Sequence, residues 1–139
     1  MSNGSDFKRG YLAPRVTEGL GLDYVMHEFM YHLCMPGYYR TMDSLLVTSS
    51  YEGCGLPAME AAAAGRLVVG AAAGYFTGDS GFLCRTPDDE FVEDARGILT
   101  LCKNSPETYR SICEKGQQYA RDNYDWEHTV DGWIELFGC

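Results

Sequence analysis

The stretch from Leu45 to Val69 constrains the fold more than any other part of this chain. Leu45-Leu46-Val47-Thr48 is a short continuous apolar run, and Leu67-Val68-Val69-Gly70 is a second one. Such runs belong to strands covered on both faces by helices. Between them Gly53 and Gly55 make a turn, Pro57 stands at a first helical position, and Ala58 to Ala64 reads as a helix closed by Gly65. Strand, tight loop, helix and strand in so short a span form a βαβ unit with parallel strands, so the expected fold class is α/β.

The remaining pattern extends this layout. Pro14 starts a short helix carrying Val16 and Leu20, which Gly19 and Gly21 end, and Tyr24 to Met30 has the length and composition of a strand. Pro36 opens a short helical segment over Gly37 to Met42. After a small-residue loop from Ala71 to Ser80, Gly81 to Cys84 reads as a short edge strand. Asp88 to Leu101 is a helix on which Phe91, Val92, Ala95, Ile98 and Leu99 share a face. Pro106 starts another, with Tyr109, Ile112, Cys113, Gly116 and Tyr119 facing inward. Trp126 to Phe137 carries Val130, Trp133, Ile134 and Phe137 at helical spacing and is expected to pack back on the domain. Residues 1–10 read as a disordered or cloning-derived terminus without chemistry, and 11–139 as one domain.

Composition narrows the function classes. A chain of 139 residues has room for one domain with a real core. The formal charge is -9 and Lys8-Arg9 is the one adjacent basic pair, which argues against a nucleic-acid partner. The six cysteines are scattered without CxxC spacing, and no signal-peptide pattern precedes them, so reduced thiols and a cytoplasmic location are expected. The longest apolar region, Leu56 to Phe76, contains Glu60 and Arg66 and is broken by glycines, so no transmembrane segment is expected. His27, His32 and His128 make no metal-ligand spacing, no GxGxxG or GxxxxGK loop occurs, and no nucleophile with base and orienting partner stands out.

The candidate site lies in the turn. Glu52 leaves the carboxyl end of a parallel strand, where ligands of open α/β sheets collect. Gly53 and Gly55, on either side of Cys54, let the main chain approach a ligand and aim N–H groups at an oxyanion, and the helix start adds its own amides. Glu60 falls one turn into that helix, on the side of Leu56 and of Ala63 or Ala64, where it can face the same cleft and suit vicinal hydroxyls such as those of a ribose. The residues alone leave a second reading open: Glu52 a solvated loop carboxylate, Glu60 an exposed helix residue, the glycines serving only the turn. Ala61 to Ala64 needs no functional explanation, because small side chains let a helix sit tightly on a sheet.

From about Met42 to Ala73, and more weakly on to Trp126, the chain resembles the carboxyl-terminal donor-binding domain of retaining glycosyltransferases of the GT-B fold, in glycosyltransferase family 4, the glycosyl transferases group 1. The residues that carry the resemblance are Asp43, Leu45 to Thr48, Ser50, Glu52-Gly53-Cys54-Gly55-Leu56, Glu60 after seven intervening residues, Ala61 to Ala64, Gly65 and Val68-Val69. The resemblance implies a Rossmann-like three-layer parallel sheet, a partial GT-B carboxyl-terminal domain. It implies transfer of a hexosyl group from a nucleotide sugar to an acceptor with retention of configuration, without a metal or other cofactor. Glu52 would contact the transferred sugar as the catalytic carboxylate, Gly53, Cys54, Gly55 and Leu56 would hold the sugar and its diphosphate, and Glu60 would bind the ribose.

Several positions depart from the family pattern. Cys54 replaces an aromatic residue and reads as a small buried thiol rather than a nucleophile. Arg66 stands at a usual proline or small turn position and reads as a surface charge; Trp126 matches a structural aromatic that holds the last helix. The family also uses an amino-terminal acceptor-binding domain, as part of the same protein or a partner chain, and an upstream Arg and Lys that neutralise the departing diphosphate. Lys8, Arg9 and Arg15 are the early basic residues available for that task, with no glycine-rich strand and loop around them. Two alternatives stand beside the transferase: a non-catalytic nucleotide-sugar-binding module, and an assembly module, a homo-oligomer paired through an exposed sheet edge.

Overall fold

The computed structural model describes residues 7–26 and 30–138. Three parallel strands, β1 (Ser44–Val47), β2 (Leu67–Ala71) and β3 (Phe82–Cys84), form an open sheet in the order β1-β2-β3. Leu45 pairs with Val68 and Gly70 with Leu83, so β2 is the central strand and all five of its residues are buried. Helices α1 (Leu12–Thr17), α2 (Met35–Tyr39), α3 (Leu56–Ala63), α4 (Asp88–Asn104), α5 (Pro106–Tyr124) and α6 (Trp126–Phe137) surround the sheet, with one 3-10 turn at His32–Cys34. The α/β architecture expected from the apolar runs is the one observed.

Strand alternation divides the core into two layers. Leu67, Val69 and Ala71 point to one face of β2 and pack with Leu12 and Val16 of α1 and Phe91, Ala95 and Ile98 of α4. Val68 points to the other face, against Ala58, Met59, Ala61 and Ala62 of α3 and Tyr39 of α2. Helix α5 adds Cys113 to the first cluster and Ala120 to the second. Its residue Gly116 lies against the backbone of Ser80, where a Cβ would come within 2.7 Å of the carbonyl oxygen. Alanines let α3 approach that closely, and the glycine does the same for α5.

Two expectations of secondary structure and packing are corrected. Tyr24 to Met30 is not a strand where it is described: residues 24–26 and 30 have no regular structure, and 27–29 lie outside the described residues. Tyr24, Val25 and Met26 are exposed, so these three residues have no core to face. Helix α6 forms as its periodicity predicts but does not bury its apolar stripe: Trp126 is 71 % exposed and Phe137 68 %. Trp133 stacks on Phe137 along the helix, ring centroids 5.5 Å apart, rather than on the domain. Asp125 caps α6 through the Glu127 amide and Gly138 closes it in the left-handed region, so local signals define the ends of a helix whose apolar stripe stays mostly exposed.

Candidate functional site

At the carboxyl end of β1 the chain turns into α3 through Gly55, whose φ of 71° and ψ of 36° lie in the left-handed region natural to glycine. The turn is pinned from behind. The Ala58 amide donates to the Gly55 carbonyl (3.0 Å) and the Tyr75 amide to the Cys54 carbonyl (2.9 Å). The amides of Gly53, Cys54 and Gly55 donate to no carbonyl among the described residues, and α3 has no side-chain cap. Uncapped amides at a helix start form a partial positive charge suited to an anion.

Residues 7–10 enter this region and are not a loose end. The Phe7 carbonyl accepts from the Ser50 amide (2.8 Å), and the Lys8 carbonyl from the Thr48 hydroxyl (2.6 Å). The Lys8 ammonium then reaches Glu52, Nζ to Oε1 2.6 Å. Burial acts to raise the Glu52 pKa, but hydrogen bonds from Lys8 and Ser49 outweigh it and hold the carboxyl below its ordinary value. Glu52 is thus ionised at neutral pH, with a cation beside it.

Arg9 explains why the segment lies there. Its side chain is only 6 % exposed, donates from Nε to the Thr48 carbonyl (2.8 Å) and from a terminal nitrogen to the Thr86 carbonyl, and pairs with Asp88 at 3.2 Å. The guanidinium also stands over the Phe91 ring, 5.1 Å from its centroid. One side chain therefore ties the ends of β1 and β3 and the start of α4 to the residue following Lys8. Its backbone φ of 44° is the one non-glycine positive value among the described residues. Such a conformation persists where surrounding contacts over-determine it. The only sequence signal for this role was a basic pair in an acidic chain.

Glu60 is placed differently from Glu52. Its Oε2 accepts from the Tyr39 hydroxyl (2.8 Å), and it lines a cleft of about 510 Å³ between α2 and α3 together with His32, Arg40, Ala63 and Arg66. Tyr39 is buried, and burial together with the Glu60 carboxylate raises its pKa far above the usual phenol value, so it remains a donor. Glu52 is not among the residues lining that cleft. The two carboxylates sit on one turn-helix unit, the first at the mouth and the second on the α2 side.

Three single-residue expectations are corrected. Cys54 is exposed, because the turn that carries it projects beyond the sheet. Arg66 is only partly exposed and its Nε is buried without a hydrogen-bond partner, because it stands between Gly65 and the fully interior β2. Trp126 is exposed rather than packed into the core. The thiols divide accordingly. Burial pushes Cys84 up to about 12, with Asp94 adding to the effect, and burial also raises Cys102 and Cys113. Alkylation of the folded protein at neutral pH should therefore label Cys34 and Cys54 and spare these three; peptide mapping that finds Cys84 labelled as fast as Cys54 would refute the assignment.

No helix among the described residues is long and apolar enough to cross a membrane, and no group of three or more His, Cys, Asp or Glu gathers where it could hold a metal ion. The fold and the turn define a Rossmann-like α/β domain with an anion-ready helix start at the carboxyl edge of its sheet. Residues 5–104 match the model of the family described as glycosyl transferases group 1, and the chain belongs to that family. Among similar proteins are the D-inositol 3-phosphate glycosyltransferase of Rhodococcus erythropolis, 32% identical over 104 residues, covering 71% of this chain and 23% of the relative. That of Salinispora arenicola is 34% identical over 111 residues, covering 75% and 23%. The sucrose-phosphate synthase of Thermosynechococcus elongatus shares the fold, with a TM-score of 0.64 at 22% identity, over 86% of this chain and 31% of that one. The chain thus spans less than a quarter of the length of these two glycosyltransferase relatives.

Proposed function

We propose that this chain supplies most of the donor-binding surface for transfer of a hexosyl group from a nucleotide sugar, with retention of configuration. The observation that carries the reading is the Lys8–Glu52 pair set against the uncapped start of α3, with Glu60 one turn further along the same helix. Family membership supports a nucleotide-sugar-dependent transferase at the level of class. The amides of Gly53, Cys54, Gly55 and Leu56 hold the diphosphate, Lys8 neutralises charge as the glycosidic bond breaks, Glu52 accepts from sugar hydroxyls, and Glu60 accepts from the ribose. An acceptor-binding domain, in the same protein or a partner chain, completes the cleft.

The test is a calorimetric titration of UDP-, GDP- and ADP-sugars against the wild type and Glu60→Ala. Loss of a charged hydrogen-bond acceptor for the ribose should weaken every nucleotide that binds by roughly tenfold or more. Unchanged affinities would remove Glu60 from the ribose site. A non-catalytic module would show the same binding losses, and donor hydrolysis or transfer by the chain would exclude that reading.

A further inference from the structure

Glu60 has no side-chain partner on its own helix. The residues three and four positions away are Leu56, Pro57, Ala63 and Ala64, none of which can hydrogen-bond a carboxylate through its side chain. Left to itself the side chain would sample several rotamers at the α2–α3 cleft, and a ligand would have to bear the cost of fixing it. One contact from another helix fixes it in advance. The Tyr39 hydroxyl donates to Oε2 at 2.8 Å, and no other described residue donates a hydrogen bond to that carboxylate.

The donor is itself held in place. Tyr39 is 3 % exposed and belongs to the core layer that contains Met59, Ala62, Val68 and Phe76, so its ring is a packed support with a polar tip at the cleft. The kind of acceptor is informative as well. A buried phenol is satisfied by a neutral backbone carbonyl, whereas a carboxylate brings a charge that is costly to desolvate. Pairing with Tyr39 occupies one oxygen of Glu60 and leaves the second for hydroxyl donors of a ligand. We infer that Tyr39 is a positioning residue for the ribose: by pinning one oxygen of Glu60 it presents the other to the vicinal 2′- and 3′-hydroxyls of the nucleotide. The inference rests on the assignment of Glu60 to the ribose and adds the source of that carboxylate's order.

The experiment is calorimetric titration of UDP, GDP and ADP, and of their 2′,3′-dideoxy counterparts, against the wild type, Tyr39→Phe, Glu60→Ala and the double variant. Circular dichroism confirms that each is folded. Tyr39→Phe keeps the packed ring and removes only the donor. It should weaken each ribonucleotide that binds by roughly fivefold to tenfold, the scale of one side chain's rotamer freedom, and leave the dideoxy forms unchanged. In the double variant the lost hydroxyl should add nothing to Glu60→Ala, because its effect passes through that carboxylate. Unchanged ribonucleotide affinities in Tyr39→Phe, equal losses for the ribo and dideoxy forms, or losses that add in the double variant would each overturn the role. Should Tyr39→Phe fail to fold, Glu60→Asp decides: its carboxylate, one methylene shorter, is drawn away from the phenol. Loss of the preference for ribonucleotides then supports the role, and a preference kept at wild-type strength overturns it. Failure of the underlying reading looks different: the wild type then binds ribo and dideoxy forms alike, or Glu60→Ala leaves the preference intact. An absence of binding by all three ribonucleotides overturns both.

Discussion

Replacing Arg9 with leucine should destabilise the fold by about 1.5–3 kcal/mol, the range for hydrogen bonds made by a charged group. The substitution strips the carbonyls of Thr48 and Thr86 of their donor and leaves Asp88 without its buried cation. It also removes the guanidinium from the face of Phe91, and leucine would keep the unfavourable φ of 44° without the contacts that impose it. Urea unfolding followed by circular dichroism measures the loss. A control is Arg85→Leu, which breaks more ion pairs (to Glu90, Glu93 and Asp94) but at the surface, where such pairs contribute little. Equal urea midpoints for the two variants would refute the argument that burial, not pair number, decides the cost. Lys8 should be released as well, so donor binding should fall even in the fraction that remains folded.

The second large effect is expected at Gly74. Its φ of 62° is in the left-handed region, and a Cβ there would fall on the carbonyl group of Cys54 and against the Gly55 nitrogen. Alanine therefore carries a backbone penalty of about 1–2 kcal/mol and an overpacking cost of similar size, together roughly 2–5 kcal/mol. The strain cannot be relieved cheaply, because the colliding atoms are backbone and because the Tyr75 amide holds the same carbonyl at 2.9 Å. Relaxation must push residues 53–55 outward, so nucleotide-diphosphate affinity should fall by at least about tenfold, in proportion to the misplacement of the amides. Gly78→Ala is the control: its Cβ would meet only Leu83 side-chain carbons at 3.7 Å and beyond, an ordinary contact. Gly74→Ala with wild-type stability and affinity would show that the two loops are not braced against each other.

Both predictions concern residues that chain order separates from the turn they control, which is where reading the sequence ran out. The βαβ unit was legible because each part has a local signature: apolar runs for β1 and β2, proline and glycine at the ends of α3, alanines between. Helices α4, α5 and α6 were legible from their periodicity for the same reason. Glu52 and Glu60 stood out because glycines and a helix start surround them. Tyr24 to Met30 misled, since β-branched and aromatic residues mark a strand only where a neighbouring strand accepts its hydrogen bonds. The apolar stripe of α6 misled in a related way: periodicity reports which residues share a face, not whether anything covers it.

The sequence by itself determined the parallel α/β class, the order of its best-marked elements and a glycine turn flanked by two carboxylates, because these depend on spacing within a few residues. Tertiary structure alone decided that Lys8 meets Glu52, that Arg9 bolts the leading segment beneath the site, that Tyr39 orients Glu60 and that Cys54 is exposed. Those facts join residues 21 to 79 positions apart or depend on what covers a surface. A hydrogen bond or ion pair is set by distances of a few ångströms in the folded chain, and no local pattern encodes them.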